Sequence, residues 1–337
     1  MSALLEADSV SVRFPLPRPA ADILLRRPAR HLTAVDGVSL SVRPGETLGI
    51  VGESGCGKSS LGRALIGLEP LAGGAVRLQD AEVTDALPPD RRRRAQMIFQ
   101  DPVGALNPLM TVREALAEPL RVHRLLPPEQ IPARVDELMR LVGLQSDLAG
   151  RRPAELSGGQ CQRVGIARAL AVEPDLIVAD ECVSALDVSI QAQVLALLAD
   201  LRARLGLTLV FISHDLGVVR QFCDRVAVLY LGRVVEEGPV EEVLSRPRHP
   251  YTAALRAAAP VMQAGAPLPT RLAGEPPSPT DRPPGCPYHP RCPHVFDACR
   301  LGPPPGLAAT GGRAVACHLN GGTGLTAQAA TTQGDHT

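Results

Sequence analysis

One eight-residue segment constrains this chain more than any other part of its sequence. Residues 52–59 read GESGCGKS and match the pattern G-x-x-x-x-G-K-[ST]. They follow a short apolar run, Glu46–Val51, and precede a segment in which Leu61, Leu65 and Leu68 recur at helical spacing. A strand, a glycine-rich loop and a helix, in that order, are the context in which such a loop wraps a phosphate group. The sequence therefore predicts a phosphate-binding α/β domain.

The residue types in this segment suit that chemistry. Glycines let the backbone surround an anion with its N–H groups. We expect Lys58 to reach the β- and γ-phosphates of MgATP and the Ser59 hydroxyl to ligate Mg²⁺. Lys58 is the only lysine of the chain, and a compact ammonium differs physically from the guanidinium used everywhere else. A structural glycine turn is the alternative. The residues predicted to contact the nucleotide are Gly52, Glu53, Ser54, Gly55, Cys56, Gly57, Lys58, Ser59 and Ser60.

A second motif predicts another anion site. Residues 156–160 read LSGGQ and open a segment, Cys161–Ala171, with the composition of a helix. One nucleotide does not need two helix N-termini from one chain at its terminal phosphate. The pair is explained if Ser157, Gly158, Gly159 and Gln160 of one subunit face the γ-phosphate held by Lys58 of another. The alternative is a helix with an ordinary serine N-cap.

Polar residues follow two apolar runs that are typical of buried parallel strands. Leu176–Ala179 ends in Asp180-Glu181, and Leu207–Ile212 ends in Ser213-His214-Asp215. Ligands of open α/β sheets gather at such strand ends. Further along, Arg225–Leu231 and Arg233–Glu237 flank Gly232 and predict a hairpin.

The remaining segments indicate an insertion and an extension. Val112–Leu126 and Ile131–Val142 have helical spacing, whereas residues beyond Arg246 are rich in proline and glycine. A chain of 337 residues exceeds the roughly 150 residues of an average domain. Acidic and basic residues balance, so no overall positive field draws the chain to nucleic acid. No apolar run spans a bilayer and no signal peptide is evident, which predicts a cytoplasmic location.

Four motifs together resemble the ATP-binding cassette (ABC) ATPases: residues 52–59, LSGGQ at 156–160, LIVADE at 176–181 and FISHD at 211–215. The resemblance implies an α/β, P-loop NTPase (RecA-like) core with an antiparallel β subdomain, an inserted α-helical signature subdomain and a small C-terminal cysteine-containing appendage. We expect the core at 1–101 and 157–245, the helical subdomain at 102–156, the C-terminal extension at 246–319 and a disordered tail at 320–337.

The resemblance also implies roles for single residues. Gln100 resembles the loop glutamine that reaches the metal and the attacking water only when the helical subdomain rotates inward. Asp180 would orient Mg²⁺ together with Ser59 and Gln100, and Glu181 would act as general base on the attacking water. His214 resembles the switch histidine that contacts the γ-phosphate, and Asp187 lies in a segment that resembles the loop joining the sites of two subunits. Taken singly, each has a plain structural alternative, such as a solvated strand end. Cys161 and Cys182 depart from the usual family pattern. The aromatic residue that stacks on adenine is Phe14 or, second, His31.

Several stretches resemble ATPases of the oligopeptide/dipeptide permease group, namely residues 34–39, 100–108, 184–191 and HPYT at 249–252. The resemblance implies a second, different ABC ATPase subunit, two integral membrane permease subunits and an extracytoplasmic substrate-binding protein. The chain would couple ATP hydrolysis to uptake of oligopeptides, dipeptides or a related solute at the cytoplasmic face of the inner membrane, without a nucleic-acid partner. A cassette ATPase of DNA repair or translation is the alternative.

Four of the eight cysteines lie in the proline-rich C-terminal segment. Thiolates are ligands for zinc and for iron–sulfur clusters, but the intervals of five, six and seventeen residues match neither a zinc ribbon nor a ferredoxin. The resemblance implies a [4Fe-4S] cluster in some members of the group. Reduced thiols without metal, or zinc with His289, His294 or His318, are the alternatives. The cysteines are Cys286, Cys292, Cys299 and Cys317.

Overall fold

The computed structural model describes residues 3–18, 25, 30–79, 81–84, 88–184, 186–259, 274–303 and 305–320. The predicted tail at 320–337, apart from its first residue, lies outside these ranges. In the described residues, no helix is long and apolar enough to cross a membrane.

The strands of the described residues form two sheets. An eight-stranded sheet has the order β11-β12-β10-β9-β3-β8-β7-β6, and a four-stranded sheet has the order β2-β1-β4-β5. The strands are β1 (Leu5–Pro15), β2 (His31–Val42), β3 (Thr47–Val51), β4 (Gly73–Leu78), β5 (Ala81–Glu82), β6 (Ala95–Ile98), β7 (Leu176–Asp180), β8 (Thr208–Ile212), β9 (Arg225–Tyr230), β10 (Arg233–Pro239), β11 (Ala308–Thr310) and β12 (Arg313–Val315).

Parallel strands form the centre of the larger sheet. β3 pairs in parallel with β8 and β9, and β7 pairs in parallel with β8 and β6. Every residue of β3, β7 and β8 is buried, as expected for strands covered on both faces by helices or a second sheet. The three strands run in the same direction and end at Val51, Asp180 and Ile212, so their carboxyl ends lie on the same side of the sheet. The prediction that the runs of β7 and β8 are buried parallel strands with polar residues at their carboxyl ends is therefore confirmed.

Helices pack on the larger sheet, and three of the longer ones lie between β6 and β7 in chain order. The helices are α1 (Lys58–Leu65), α2 (Pro89–Arg92), α3 (Val112–Val122), α4 (Ile131–Leu141), α5 (Gly158–Leu170), α6 (Val188–Leu205), α7 (Leu216–Phe222), α8 (Val240–Ser245), α9 (Pro250–Ala258) and α10 (Asp297–Leu301). Short 3-10 helices span Pro128–Gln130, Ser146–Gly150, Pro153–Glu155 and His289–Arg291.

Helix ends differ from the predicted ones where a local backbone signal overrides the apolar spacing. The helix predicted over Val112–Leu126 ends at Val122, and Arg124 then has φ 50°, which no helix continues. Its start is fixed by a capping box, in which the Thr111 side chain accepts from the Glu114 N–H and Glu114 accepts from the Thr111 N–H. α5 begins three residues before its predicted start, directly after Ser157.

The C-terminal extension continues the larger sheet instead of forming a separate unit. β10 pairs with β9 in the predicted hairpin, and its other edge pairs with β12, which carries β11. At this junction Arg313 forms an ion pair with Glu236, which is fully buried and also accepts from the N–H groups of Arg248 and His249. The sequence analysis did not predict this pairing.

A buried histidine at this junction predicts acid sensitivity. The His249 ring accepts a 3.0 Å hydrogen bond from the Tyr251 N–H at the start of α9, and burial lowers the pKa of His249 to about 4. Histidine in an unfolded chain titrates near 6.5. Between these values the unfolded state binds a proton that the folded state does not. The free energy of unfolding should therefore fall on acidification from about pH 6.5 to about pH 4, by up to about 3 kcal/mol.

The substitution His249→Asn should remove this contribution while keeping a side-chain oxygen that caps α9. Urea unfolding at pH 7 and pH 5 is the measurement, and the variant should lose less stability between the two pH values than the wild type. His31→Asn, at an exposed histidine, is the control. Equal slopes for wild type and His249→Asn would contradict the prediction.

Candidate nucleotide and hydrolysis site

The loop between β3 and α1 has room only for glycine at two of its positions. A Cβ atom at Gly52 would lie 2.2 Å from the carbonyl oxygen of Leu229, and one at Gly57, where φ is 103°, would lie 2.1 Å from the carbonyl oxygen of Ala34. Both distances are far inside van der Waals contact. The loop is therefore held tightly between β9 and β2. Its shape requires glycine at positions 52 and 57, because no side chain fits there.

Lys58 occupies the centre of this loop. Its side chain is 4% exposed, and its ammonium donates to the carbonyl oxygens of Gly52 at 2.9 Å and Glu53 at 3.0 Å. The Glu181 carboxylate lies 3.8 Å away. A buried ammonium needs such partners because an unpaired charge in the interior is costly. Lys58 is thus a fixed positive charge at the mouth of the loop.

A cavity of about 290 Å³ lies in front of Lys58. It is lined by Ser54, Gly55, Cys56, Gly57, Lys58, Ser59 and Ser60, together with Gln100 and Glu181. Two loop residues with predicted nucleotide contacts, Gly52 and Glu53, are not among the residues that line it. Burial raises the pKa of Cys56 to about 11, so this thiol adds no negative charge near neutral pH.

Phe14 lines the same cavity, opposite Leu32 in the β1–β2 pair. His31, the second candidate for the adenine contact, is exposed and is not among the lining residues. The geometry thus favours the first candidate, because an aromatic face at the side of the cavity can stack on a nucleobase. Leu231 and Pro279 lie along the same cavity.

Two oxygen-bearing side chains meet at the floor of the site. The Ser59 hydroxyl donates a 2.8 Å hydrogen bond to Asp180, which is 2% exposed at the end of β7. Burial raises the pKa of Asp180, and the Ser59 hydrogen bond and nearby Arg63 partly offset this. A hydroxyl and a carboxylate at this distance fit Mg²⁺, which binds oxygen ligands. A bound cation would also stabilise the carboxylate that burial disfavours.

Three predicted residues converge on Glu181. Its carboxylate accepts from the Gln100 amide at 3.1 Å, lies 3.4 Å from His214 Nδ1 and lies 3.8 Å from the Lys58 ammonium. The side chain of Glu181 is 15% exposed, so water can reach it. These residues come from β7, the end of β6, the end of β8 and the start of α1, which explains why the sequence order gives no hint of their contact.

The backbone of Glu181 is strained. Its φ is 42°, a left-handed conformation that costs a non-glycine residue about 1–3 kcal/mol. The Glu181 N–H donates to the Ile212 carbonyl oxygen at 3.0 Å, which continues the β7–β8 pairing one residue further before the chain turns. The turn directs the Glu181 side chain to the cavity, while Cys182, the next residue, points into the core with 2% exposure.

The two cysteines that depart from the usual family pattern do not enter the site. Cys161 is fully buried, and its thiol is 3.6 Å from the Pro153 carbonyl oxygen. Burial raises the pKa of Cys182 to about 12. Both are neutral packing residues at physiological pH. Cysteine at these two positions therefore affects the core and leaves the polar groups of the site intact.

The LSGGQ motif lies on another surface of the chain. Ser157 caps α5 by accepting from the Gln160 N–H at 3.3 Å, and Gln160 accepts from the Ser157 N–H at 2.8 Å. Ser157 and Gly158 are exposed, and neither is among the residues that line the cavity. Asp187, at the start of α6, is also exposed, and a Cβ at Gly158 would lie 3.6 Å from the Leu186 side chain. The motif and Asp187 therefore occupy one exposed region.

The four C-terminal cysteines lie close together. The Cys286 N–H donates to the Cys299 carbonyl oxygen at 2.9 Å. Burial and, to a smaller extent, the neighbouring thiols of Cys299, Cys317 and Cys292 together raise the pKa of Cys286 to about 11. Within the described ranges, however, no group of three or more histidine, cysteine, aspartate or glutamate side chains is arranged to hold a metal ion. The thiols are neighbours without forming a ready ligand set.

The sheet, the glycine loop and the polar strand ends define a P-loop NTPase of α/β class. Comparison with known proteins gives the family. A model described as "ABC transporter" matches residues 35–184, and one described as "Oligopeptide/dipeptide transporter, C-terminal region" matches residues 235–299. The chain belongs to the ABC transporter family, as one of its ATP-binding subunits.

Individual relatives agree with this assignment. The chain is 50% identical over 282 residues to the oligopeptide transport ATP-binding protein OppF of Escherichia coli, covering 81% of this chain and 84% of that protein. It is 44% identical over 323 residues to AppF of Bacillus subtilis, an oligopeptide transport ATP-binding protein, covering 94% and 97%. A dimeric, post-hydrolysis structure of the ATP-binding cassette MJ0796 with ADP and Pi superposes with TM-score 0.61 at 29% identity, over 70% of this chain and 98% of that one.

The geometry of Lys58 predicts that arginine cannot replace it. A planar guanidinium is too broad for a position between two loop carbonyl oxygens, although it carries the same charge. Lys58→Arg should weaken binding of trinitrophenyl-ATP at least about tenfold in a fluorescence titration, a loss of roughly 1.4 kcal/mol or more. The converse substitution Arg77→Lys, in an exposed ion pair, is the control and should bind normally. Wild-type affinity in Lys58→Arg would refute the assigned role.

Proposed function

We propose that this chain is the ATP-hydrolysing subunit of an importer and couples MgATP hydrolysis at a dimer interface to uptake of oligopeptides, dipeptides or a related solute. The observation that carries the proposal is the convergence of Gln100, His214 and Lys58 on the carboxylate of Glu181. The names of the relatives, oligopeptide transport ATP-binding proteins, support the substrate class.

Each residue has a chemical role in this proposal. Glu181 is the general base that orients and deprotonates the attacking water. Gln100 and His214 fix the Glu181 carboxylate and contact the γ-phosphate, while Lys58 and the loop N–H groups neutralise charge on the phosphates. Ser59 and Asp180, with Gln100, would hold the Mg²⁺, which would supply positive charge to the phosphates. Phe14 stacks on the adenine.

The proposed active unit is a dimer. Ser157 through Gln160 present the N-terminus of α5 on a surface away from the chain's own cavity, and a helix N-terminus favours a phosphate group. A second ATPase subunit would place its Ser157-equivalent surface over the γ-phosphate held by Lys58 here. Asp187, in the same exposed region, then lies between the two sites. The relatives' dimeric structure supports this arrangement, as does the exposure of Val188, which is 78%.

The proposed membrane partners need a docking surface, and one groove supports their presence. It has a volume of about 460 Å³ beside the edge strand β6 and α3. Its walls include Phe99, Leu68 and Val122, which are exposed by 39%, 53% and 70%. Gln162 also lines it, and neither amide atom of that buried side chain has a hydrogen-bond partner in the described residues. Since Phe99 precedes Gln100, a segment bound here would be linked directly to the hydrolysis site.

In this proposal the chain is peripheral to the cytoplasmic face of the inner membrane, held there by two permease subunits and supplied by an extracytoplasmic binding protein. We also propose the domain limits given by the sequence, with the core at 1–101 and 157–245, the helical subdomain at 102–156 and the extension at 246–319. The alternative, a cassette ATPase of DNA repair or translation, is disfavoured because a transporter-specific model matches residues 235–299.

The experiment that tests the function is the substitution Glu181→Gln in the complex purified with its partners. The amide keeps the size and the Gln100 contact but cannot take a proton from water. We expect ATP binding to persist, steady-state hydrolysis to fall by about 10²-fold or more, and ATP to trap a closed dimer visible by size-exclusion chromatography.

The matched control is Glu129→Gln, at an exposed glutamate of the helical insertion, which should hydrolyse ATP at the wild-type rate. Unchanged hydrolysis in Glu181→Gln would remove this residue as the base. A wild-type complex that neither binds nor hydrolyses ATP would overturn the function itself.

We propose further that the four C-terminal cysteines hold a [4Fe-4S] cluster, with zinc as the less favoured alternative. The proximity of the four thiols supports this, whereas in the described residues they are not arranged as a metal site. Protein purified without oxygen should be brown and contain iron and acid-labile sulfide, and Cys299→Ser should lose both. A folded, colourless and metal-free preparation would exclude a cluster.

A further inference from the structure

Glu53, the second residue of the phosphate loop, is held from three sides. Its N–H donates a 2.8 Å hydrogen bond to the Tyr251 hydroxyl, and its carbonyl oxygen accepts from the Lys58 ammonium at 3.0 Å. Its carboxylate points away from the nucleotide cavity and accepts two hydrogen bonds from Arg291, at 2.7 and 2.8 Å. Two of these three contacts come from residues beyond 245, in the C-terminal extension.

Arg291 is built into the interior. Its side chain is 4% exposed, and its guanidinium lies 5.9 Å from the ring centroids of both Tyr230 and Tyr288. Those two rings meet edge to face, with centroids 5.2 Å apart. A planar guanidinium with two parallel N–H groups matches a carboxylate in a way that lysine cannot. Arg291 therefore restrains both the position and the orientation of the Glu53 carboxylate.

The charge of Glu53 makes this contact relevant to nucleotide binding. The carboxylate is attached to the loop that receives a phosphate chain, five residues before Lys58, whose ammonium already contacts the Glu53 carbonyl. Paired with Arg291, the carboxylate is neutralised and directed away. Without Arg291, the Lys58 ammonium, which contacts the carbonyl oxygen of the same residue, is a cation within the same loop with which the carboxylate can pair. The carboxylate would then compete with the phosphates for that ammonium and repel them, because charges interact strongly in a partly buried site.

We propose that Arg291 is a positioning residue for the nucleotide site, through which the C-terminal extension fixes the phosphate loop and sets the affinity for ATP. The inference rests on the function proposed above and adds a role for the extension in it. Pro279, a second residue of the extension, lies along the same cavity, so the extension borders the nucleotide site in front of the loop as well as behind it.

The test uses the full-length protein and three substitutions: Arg291→Met, Arg291→Lys and the double substitution Glu53→Gln with Arg291→Met. The affinity for trinitrophenyl-ATP is measured by fluorescence titration. The KM and kcat for ATP hydrolysis are measured in the complex with the partner subunits. We expect Arg291→Met to raise the Kd and KM about tenfold with kcat changed less than about threefold, as for directly coupled residues. The double substitution removes the unpaired carboxylate and should recover most of the lost affinity. Arg291→Lys should be intermediate.

Arg300→Met, at an exposed arginine of the same extension, is the matched control and should leave the Kd and KM unchanged. A purely structural role predicts a lower Tm for Arg291→Met with unchanged Kd, or a double variant that binds as weakly as Arg291→Met, and either result overturns the proposal. If Arg291→Met does not fold, Arg291→Lys is the test. A Kd for Arg291→Lys equal to that of the wild type then overturns the proposal. Loss of ATP binding by the wild type itself would instead refute the proposed function.

Discussion

The buried ammonium of Lys58 is the interaction on which the rest of the site depends. A charge with 4% exposure is tolerated only where polar groups surround it, and here two loop carbonyl oxygens and the Glu181 carboxylate do so. To bring those carbonyls inward, the loop must pass within van der Waals contact of the backbone of β9 and β2, which excludes a Cβ at Gly52 and at Gly57. The glycines, the strand order and the position of the acid are therefore parts of one arrangement that places a positive charge where phosphates bind.

Much of this arrangement could be predicted because it follows from short-range rules. The buried runs of β3, β7 and β8 are apolar on both faces, so their boundaries and the polar residues behind them were evident in the sequence. The same is true of the motif residues that line the cavity. Helix ends were predicted less well, because capping at Thr111 and a positive φ at Arg124 decide them, and apolar spacing reports neither.

What the sequence did not predict depends on long-range pairing. β12 joins the sheet through Glu236 and Val315, which lie far apart in the chain, and no local pattern indicates that register. Arg291 was missed for a related reason. It lies in a proline-rich stretch without periodicity, next to a cysteine that drew attention to metal binding, and its partner is 238 residues away. The available signal was chemical: an acidic residue inside a phosphate loop requires a cation that directs it elsewhere.

The topology also bears on the proposed dimer. Gln100 and Glu181, which follow β6 and β7, line one cavity, whereas Ser157 at the start of α5 is exposed and is not among the lining residues. α5 packs through Val164 and Ala167 into the apolar core cluster that also contains residues of β6 and β7, so it cannot swing to the chain's own cavity without losing that packing. In the function proposed above, the second subunit therefore brings the N-terminus of its own α5 to the γ-phosphate. Glu181 is already held by Gln100 and His214 with φ at 42°, so the arrival of that subunit would close a site whose catalytic groups are in place beforehand.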